Sequence, residues 1–203
     1  MTESWDRPPP DLAPTELFER WLPQAFAAAG LRAPPGAPRL RVSITGGGAW
    51  DLVASGDALT VAAAGRELPE IWLRISEADL RIALGVADPD LPAITPEHWS
   101  MRDLLVIEPA DVDLVRQVSG RLAVEIEGRR RRRWVLDVGF GAAGVSAGRP
   151  RTTVRLDAAT FEGLRSGALA PMQPLLDGRL KIEGDRALAM QLLLLVGSRL
   201  SRR

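Results

Sequence analysis

Hydrophobic positions recur with two different spacings along this chain. At Leu17, Phe18, Trp21, Leu22, Ala25, Phe26 and Ala29 they form one helical stripe, with Thr15 placed to cap it and Gly30 and Pro34-Pro35 to end it. Pro23 inside the stripe predicts a kink or a restart. From Arg39 the spacing drops to two. Leu40 to Ile44 alternates, Gly46-Gly-Gly48 supplies a turn, and Trp50 to Val53 resumes as the partner strand. Asp57 to Ala62 and Ile71 to Ile75 read as two further strands, and Ser76 with Asp79 resembles a capping box opening a helix through Leu84.

The series then recurs. Leu122 to Gly128 parallels Leu40 to Gly46, Trp134 to Val138 parallels Trp50 to Val53, and Gly144 to Ala147 is a weak counterpart of the third strand. Val154 to Asp157 parallels Leu73 to Ser76, and the strand Leu180 to Asp185 parallels Leu105 to Ala110, each followed by a helix. The pattern predicts a tandem duplication with a unit of about 80 residues. Its copies run over residues 15–119 and 120–200, after a disordered or extended proline-rich lead-in over 1–14. Any β-meander followed by a helix would show some of this likeness.

Composition removes whole classes of chemistry. With 203 residues the chain can build a real core. Its 26 basic and 26 acidic residues cancel, so no global field draws it to nucleic acid. There is no cysteine, and His98 is the only histidine, which excludes disulfides, thiolate catalysis, cysteine- or histidine-based metal clusters and a histidine triad. No phosphate-loop or nucleophile-elbow motif is present, and Gly46-Gly-Gly48 joins two strands instead of opening a helix. No cofactor, metal or catalytic residue is therefore expected.

The N-terminus lacks a signal-peptide pattern, and the longest apolar run, Ala187 to Val196, is interrupted by Gln191 and falls short of the roughly 20 residues that span a bilayer. The expectation is a soluble, cytoplasmic protein. Lys181 is the only lysine among the basic residues, an arginine bias that points to a GC-rich bacterial genome.

Two features remain. Arg129, Arg130, Arg131, Arg132 and Arg133 sit at the tip of a predicted hairpin, where they fit transient contact with anionic lipid headgroups or a merely solvated loop. The last helix, capped by Asp185 and ended by Gly197, is apolar on every face. Such a helix covers the sheet on one side and needs a ligand, a second layer or a partner subunit on the others.

Asp157, Phe161, Gly167, Leu169 and Pro171, then Gly178-Arg-Leu-Lys-Ile-Glu-Gly-Asp185, then the Ala187 to Leu195 helix together resemble the sterol carrier protein 2 family. The resemblance implies an α+β fold, a mostly antiparallel five-stranded sheet covered by helices, here in two tandem copies of which the second is better preserved. It implies non-enzymatic binding, and transfer, of a fatty acid, acyl chain, sterol-like or isoprenoid molecule between the sheet and the C-terminal helix. The implied lining is Phe161, Leu164, Met172, Leu175, Leu176, Ile182, Leu188, Met190, Leu192 and Leu195. The alternative it carries is an accessory subunit that presents a hydrophobic intermediate to a partner enzyme, as in lipid-quinone biosynthesis, with the apolar helix meeting that partner or a second copy of the chain. The second copy has no opening helix of its own.

Overall fold

The computed structural model describes residues 8–9, 11–84, 105–107, 109–128, 132–144, 152–170 and 172–200. Residues 1–7, the loop 88–100 with His98, Arg129, Arg130 and Arg131, and residues 145–147 lie outside them, as does the side chain of Leu195.

The first helical run, α1 (14–28), winds wide over Leu17–Trp21 and returns to α-helix over Leu22–Ala28. Pro23 has no N–H to give to the preceding turn, and the amide of Leu22 donates back five residues to the carbonyl of Leu17. The kink expected at Pro23 is this π-turn. The cap differs from expectation: Ala13 holds the N-cap position with no side-chain hydrogen bond, Pro14 starts the helix, and Thr15 lies within it.

The strands are β1 (Leu40–Thr45), β2 (Ala49–Ser55), β3 (Ala58–Ala63), β4 (Ile71–Ser76), β5 (Gly120–Glu127), β6 (Arg133–Phe140), β7 (Thr152–Asp157) and β8 (Leu180–Glu183). Between and after them come α2 (Glu77–Ala83), α3 (Pro109–Gln117), the single turn α4 (Gly141–Gly144), α5 (Ala158–Arg165), α6 (Met172–Leu176) and α7 (Arg186–Leu200). Ser76 caps α2 and Asp157 caps α5, each accepting the amide three residues on, at 3.0 and 2.7 Å. Asp185 caps α7 through the amides of Ala187 and Leu188. That helix passes through Gly197, where the sequence had placed its end, to Leu200.

The two five-stranded sheets expected are instead one eight-stranded sheet, in the order β3-β2-β1-β4-β6-β5-β7-β8. Each half supplies four neighbouring strands and repeats one plan. β1 pairs antiparallel with β2 and parallel with β4; β5 pairs antiparallel with β6 and parallel with β7. The parallel registers correspond from end to end, Leu40↔Ile71 to Thr45↔Ser76 and Leu122↔Thr152 to Glu127↔Asp157. The halves differ at their margins. β3 extends the first half beyond β2, whereas after β6 the chain enters α4; Gly139 and Gly144 approach so closely that a Cβ on Gly139 would lie 2.5 Å from the Gly144 carbonyl. β8 extends the second half beyond β7, but its expected counterpart at Leu105 to Ile107 is buried without strand pairing, because β6 already occupies the edge of β4.

Alternation sorts the side chains onto two unlike faces. One face carries an ion-pair ladder: Arg41 on Asp51 at 2.6 and 2.9 Å, Arg121 on Asp137, and Arg155 between Glu125 and Glu183 at 2.8 and 2.7 Å. Burial pushes the Asp51 carboxyl up, but the Arg41 guanidinium and the Gly65 amide outweigh it and hold the group below its ordinary value. The other face is apolar, and the buried residues of α1, α2, α3 and α7 cluster on it. Phe161 of α5 joins Ile126, Trp134 and Leu156 in a second, smaller cluster.

Candidate apolar site on the second half of the sheet

Equivalent positions on the apolar face are buried to very different extents in the two halves. In the first, Leu40, Val42, Ile44, Trp50, Leu52, Ile71, Leu73 and Ile75 are all buried. The lid is α1: Phe18 stacks on Trp50 with ring centroids 4.9 Å apart, and Leu17, Leu22 and Phe26 complete the seal. In the second half the outer rows are buried except at Val138, but the row between them is not buried anywhere along its length. Leu136, Val124, Val154 and Ile182 stand side by side on β6, β5, β7 and β8 and are each only half-buried. Across three strand spacings that row makes an apolar floor about 14 Å long.

Helices stand on either side of this floor. Toward one end of the strands, Leu188 and Leu192 of α7 pack with Leu122 and Phe140. Leu188 lies so close over β5 that a Cβ on Gly120, whose φ is 147°, would fall 2.8 Å from its methyl. The N-terminus of α7 is tied to β7, since the hydroxyl of Thr152 accepts the Asp185 amide at 3.2 Å. Toward the other end, Phe161 and Leu164 of α5 pack with Trp134, Ile126 and Leu156. Ile82 of α2 reaches across from the first half to join that group. Val124, Leu136 and Val154 touch both clusters and form the ground between them.

Among the described residues, the helix that would cover the floor is held elsewhere. α3 precedes β5 as α1 precedes β1. However, Arg116 of α3 binds the Gly36 carbonyl at 3.1 Å and faces Glu70 at 3.7 Å, and Val112 and Val115 enter the larger cluster. α3 therefore serves the first half. A different cleft, lined by Leu12, Leu17, Leu80 and Leu84, holds about 10 Å³, room for a single water and no more.

Among the residues expected to line a cavity, Ile182 is in the floor, Phe161 and Leu164 form one wall, and Leu188 and Leu192 form the other. Leu175 and Met190 are half-buried. Met172 is 39% exposed and Leu176 81% exposed, so these two stand in solvent, away from the floor. The sequence reading did not single out Val124, Leu136, Val154 or Ile82. In sequence they are ordinary inward strand and helix positions, and the one sign of their exposure is the missing opening helix before β5. In the arginine run, Arg132 and Arg133 are described and exposed; the Arg132 carbonyl closes the hairpin on the Gly128 amide, and Arg133 lies 3.4 Å from Glu125 on the charged face. Among the described residues no three His, Cys, Asp or Glu side chains gather as a metal site, and no helix is long and apolar enough to cross a membrane.

A sheet charged on one face and roofed by helices on the other is an α+β architecture. Residues 101–196 match the model of the SCP-2 sterol transfer family. The curated relative hydroxysteroid dehydrogenase-like protein 2 of Xenopus tropicalis is 29% identical over 89 residues, 42% of this chain and 21% of that protein, so the chain spans about a fifth of its length. Among solved structures, the sterol carrier protein domain 2 of Helicoverpa armigera is 22% identical, covering 45% of this chain and 76% of that one, with a TM-score of 0.35. Palmitated SCP2L2 of Aedes aegypti is 21% identical, covering 44% and 80%, also with a TM-score of 0.35.

Proposed function

We propose that the chain binds a lipid non-covalently on the half-buried row Leu136–Val124–Val154–Ile182, between α5 and α7, and carries it without chemical change. That row is the observation on which the proposal rests, since hydrocarbon floor left partly in water gains free energy when an apolar chain covers it. Each methylene buried contributes about 0.8 kcal/mol, so ten give about 8 kcal/mol before the costs of immobilisation. No acid, base or nucleophile is needed. The proposal makes residues 15–119 and 120–200 two copies of one unit, with the first sealed by α1 and the second holding the ligand. In the accessory reading, the same trough holds an intermediate that is handed to a partner enzyme, and a stoichiometric partner co-purifying with the chain would favour it.

Native mass spectrometry of protein purified from cells tests the carrier reading, with uptake of a fluorescent fatty acid measured on the delipidated protein. The expected results are a co-bound apolar mass and saturable uptake of one chain per protein. An apo mass together with no uptake would overturn the proposal.

A further inference from the structure

The wall of the trough nearest α5 carries two polar groups that nothing among the described residues satisfies. Trp134 is 1% exposed and its indole Nε1–H has no acceptor; Thr160 is 1% exposed and its hydroxyl has no partner. Trp134 pairs with Ile126 across β5 and β6, two residues along from the floor residue Leu136 on the same face of its strand. Its ring meets Phe161 edge-on, with centroids 6.0 Å apart at 84°, and Thr160 is the residue before Phe161 on α5. Buried donors in native proteins are nearly always paired, so two orphans beside an open apolar floor call for an acceptor from outside the chain.

We infer that Trp134 and Thr160 form the head-group subsite of the trough, and that they take a neutral oxygen, the hydroxyl or carbonyl of a lipid alcohol or ketone. This inference rests on the lipid-binding reading above. Neutrality follows from the surroundings. The buried side chains packed around Trp134 are Ile126, Leu156 and Phe161, all apolar. The Asp157 carboxylate takes the Thr160 amide at 2.7 Å, so an ionised lipid acid would meet a like charge there and lose hydration. A neutral oxygen accepts the indole N–H and exchanges a hydrogen bond with the threonine hydroxyl at no such cost.

The test compares three sixteen-carbon probes, hexadecane, hexadecanol and palmitate, by displacement of a fluorescent alkyl reporter. The wild-type chain should bind hexadecanol more tightly than hexadecane or, at neutral pH, palmitate. Trp134→Phe and Thr160→Val should each weaken hexadecanol about fivefold, the value of one hydrogen bond, and leave hexadecane unchanged. In the wild type, the indole N–H resonance that Trp134→Phe removes should shift with hexadecanol and not with hexadecane, a reading that needs no stable double variant. Equal affinity for alcohol and hydrocarbon, equal losses for both in the variants, or a preference for palmitate would each overturn the subsite while leaving the trough intact. Failure of all three probes would overturn the trough as well.

Discussion

The two halves of this sheet are built on the same plan and finished differently. Val42 and Val124 occupy the same place, on the first strand of each half and one inward position after Leu40 or Leu122. Val42 is 2% exposed, whereas Val124 is half-buried. The residue type, strand and register agree, so the difference comes from what lies above. α1 presses Phe18 and Phe26 onto the first floor, and α3, its counterpart in chain order, is pinned to the first half by Arg116. Strand sequence sets which way a side chain points; a helix elsewhere in the chain decides whether it is core or binding surface.

Five substitutions, grouped in three tests, break or sharpen this comparison. The largest effect belongs to the lid: Phe18→Ala removes a fully buried ring stacked on Trp50 and should cost about 3–5 kcal/mol by urea denaturation. If α1 is a true seal, the variant that remains folded should also gain weak uptake of a fluorescent chain in the first half; a loss much below that range would show that the first floor is less tightly covered than its geometry indicates. Next comes the matched pair Val42→Phe and Val124→Phe. The first overpacks a closed core and should cost about 1–3 kcal/mol, while the second fills open floor, costs clearly less and abolishes lipid uptake. Equal stability losses with uptake retained would erase the contrast between the halves. The smallest effect tests what they share. Ser76→Ala and Asp157→Ala remove equivalent caps and should each cost about 1 kcal/mol; a markedly larger loss at one would mean that the two capped helices carry unequal shares of the fold.

Much of this architecture was legible from residue pattern. The period-two runs gave the strands, and Ser76, Asp157 and Asp185 marked helix starts because a short side-chain oxygen before an apolar stripe has one structural use there. Three matters were not legible. The likeness of Trp50 and Trp134 suggested equivalent positions, yet Trp50 pairs with Val42 while Trp134 pairs with Ile126, a slip of two residues that leaves both rings on the apolar face. The strand expected near Leu105 does not form, because a strand needs a free edge and β6 has taken it; no residue in β4 or β6 announces its neighbour. The floor residues Val124, Leu136 and Val154 look like any core valine or leucine, since exposure depends on cover and cover is not written in the strand. Leu188 and Leu192 stood out in the sequence by belonging to a helix apolar on every face, and Phe161 by the family resemblance.

The pairing of β4 with β6 also determines how this chain can be divided. The repeat in the sequence suggests a cut near Ser119, yet such a cut would bare a full row of backbone donors and acceptors on each fragment, along β4 in one and β6 in the other. Each half supplies the neighbour that the other lacks. The half with the half-buried floor keeps the edge of β6 paired only while its neighbour stays hydrogen-bonded along that flank.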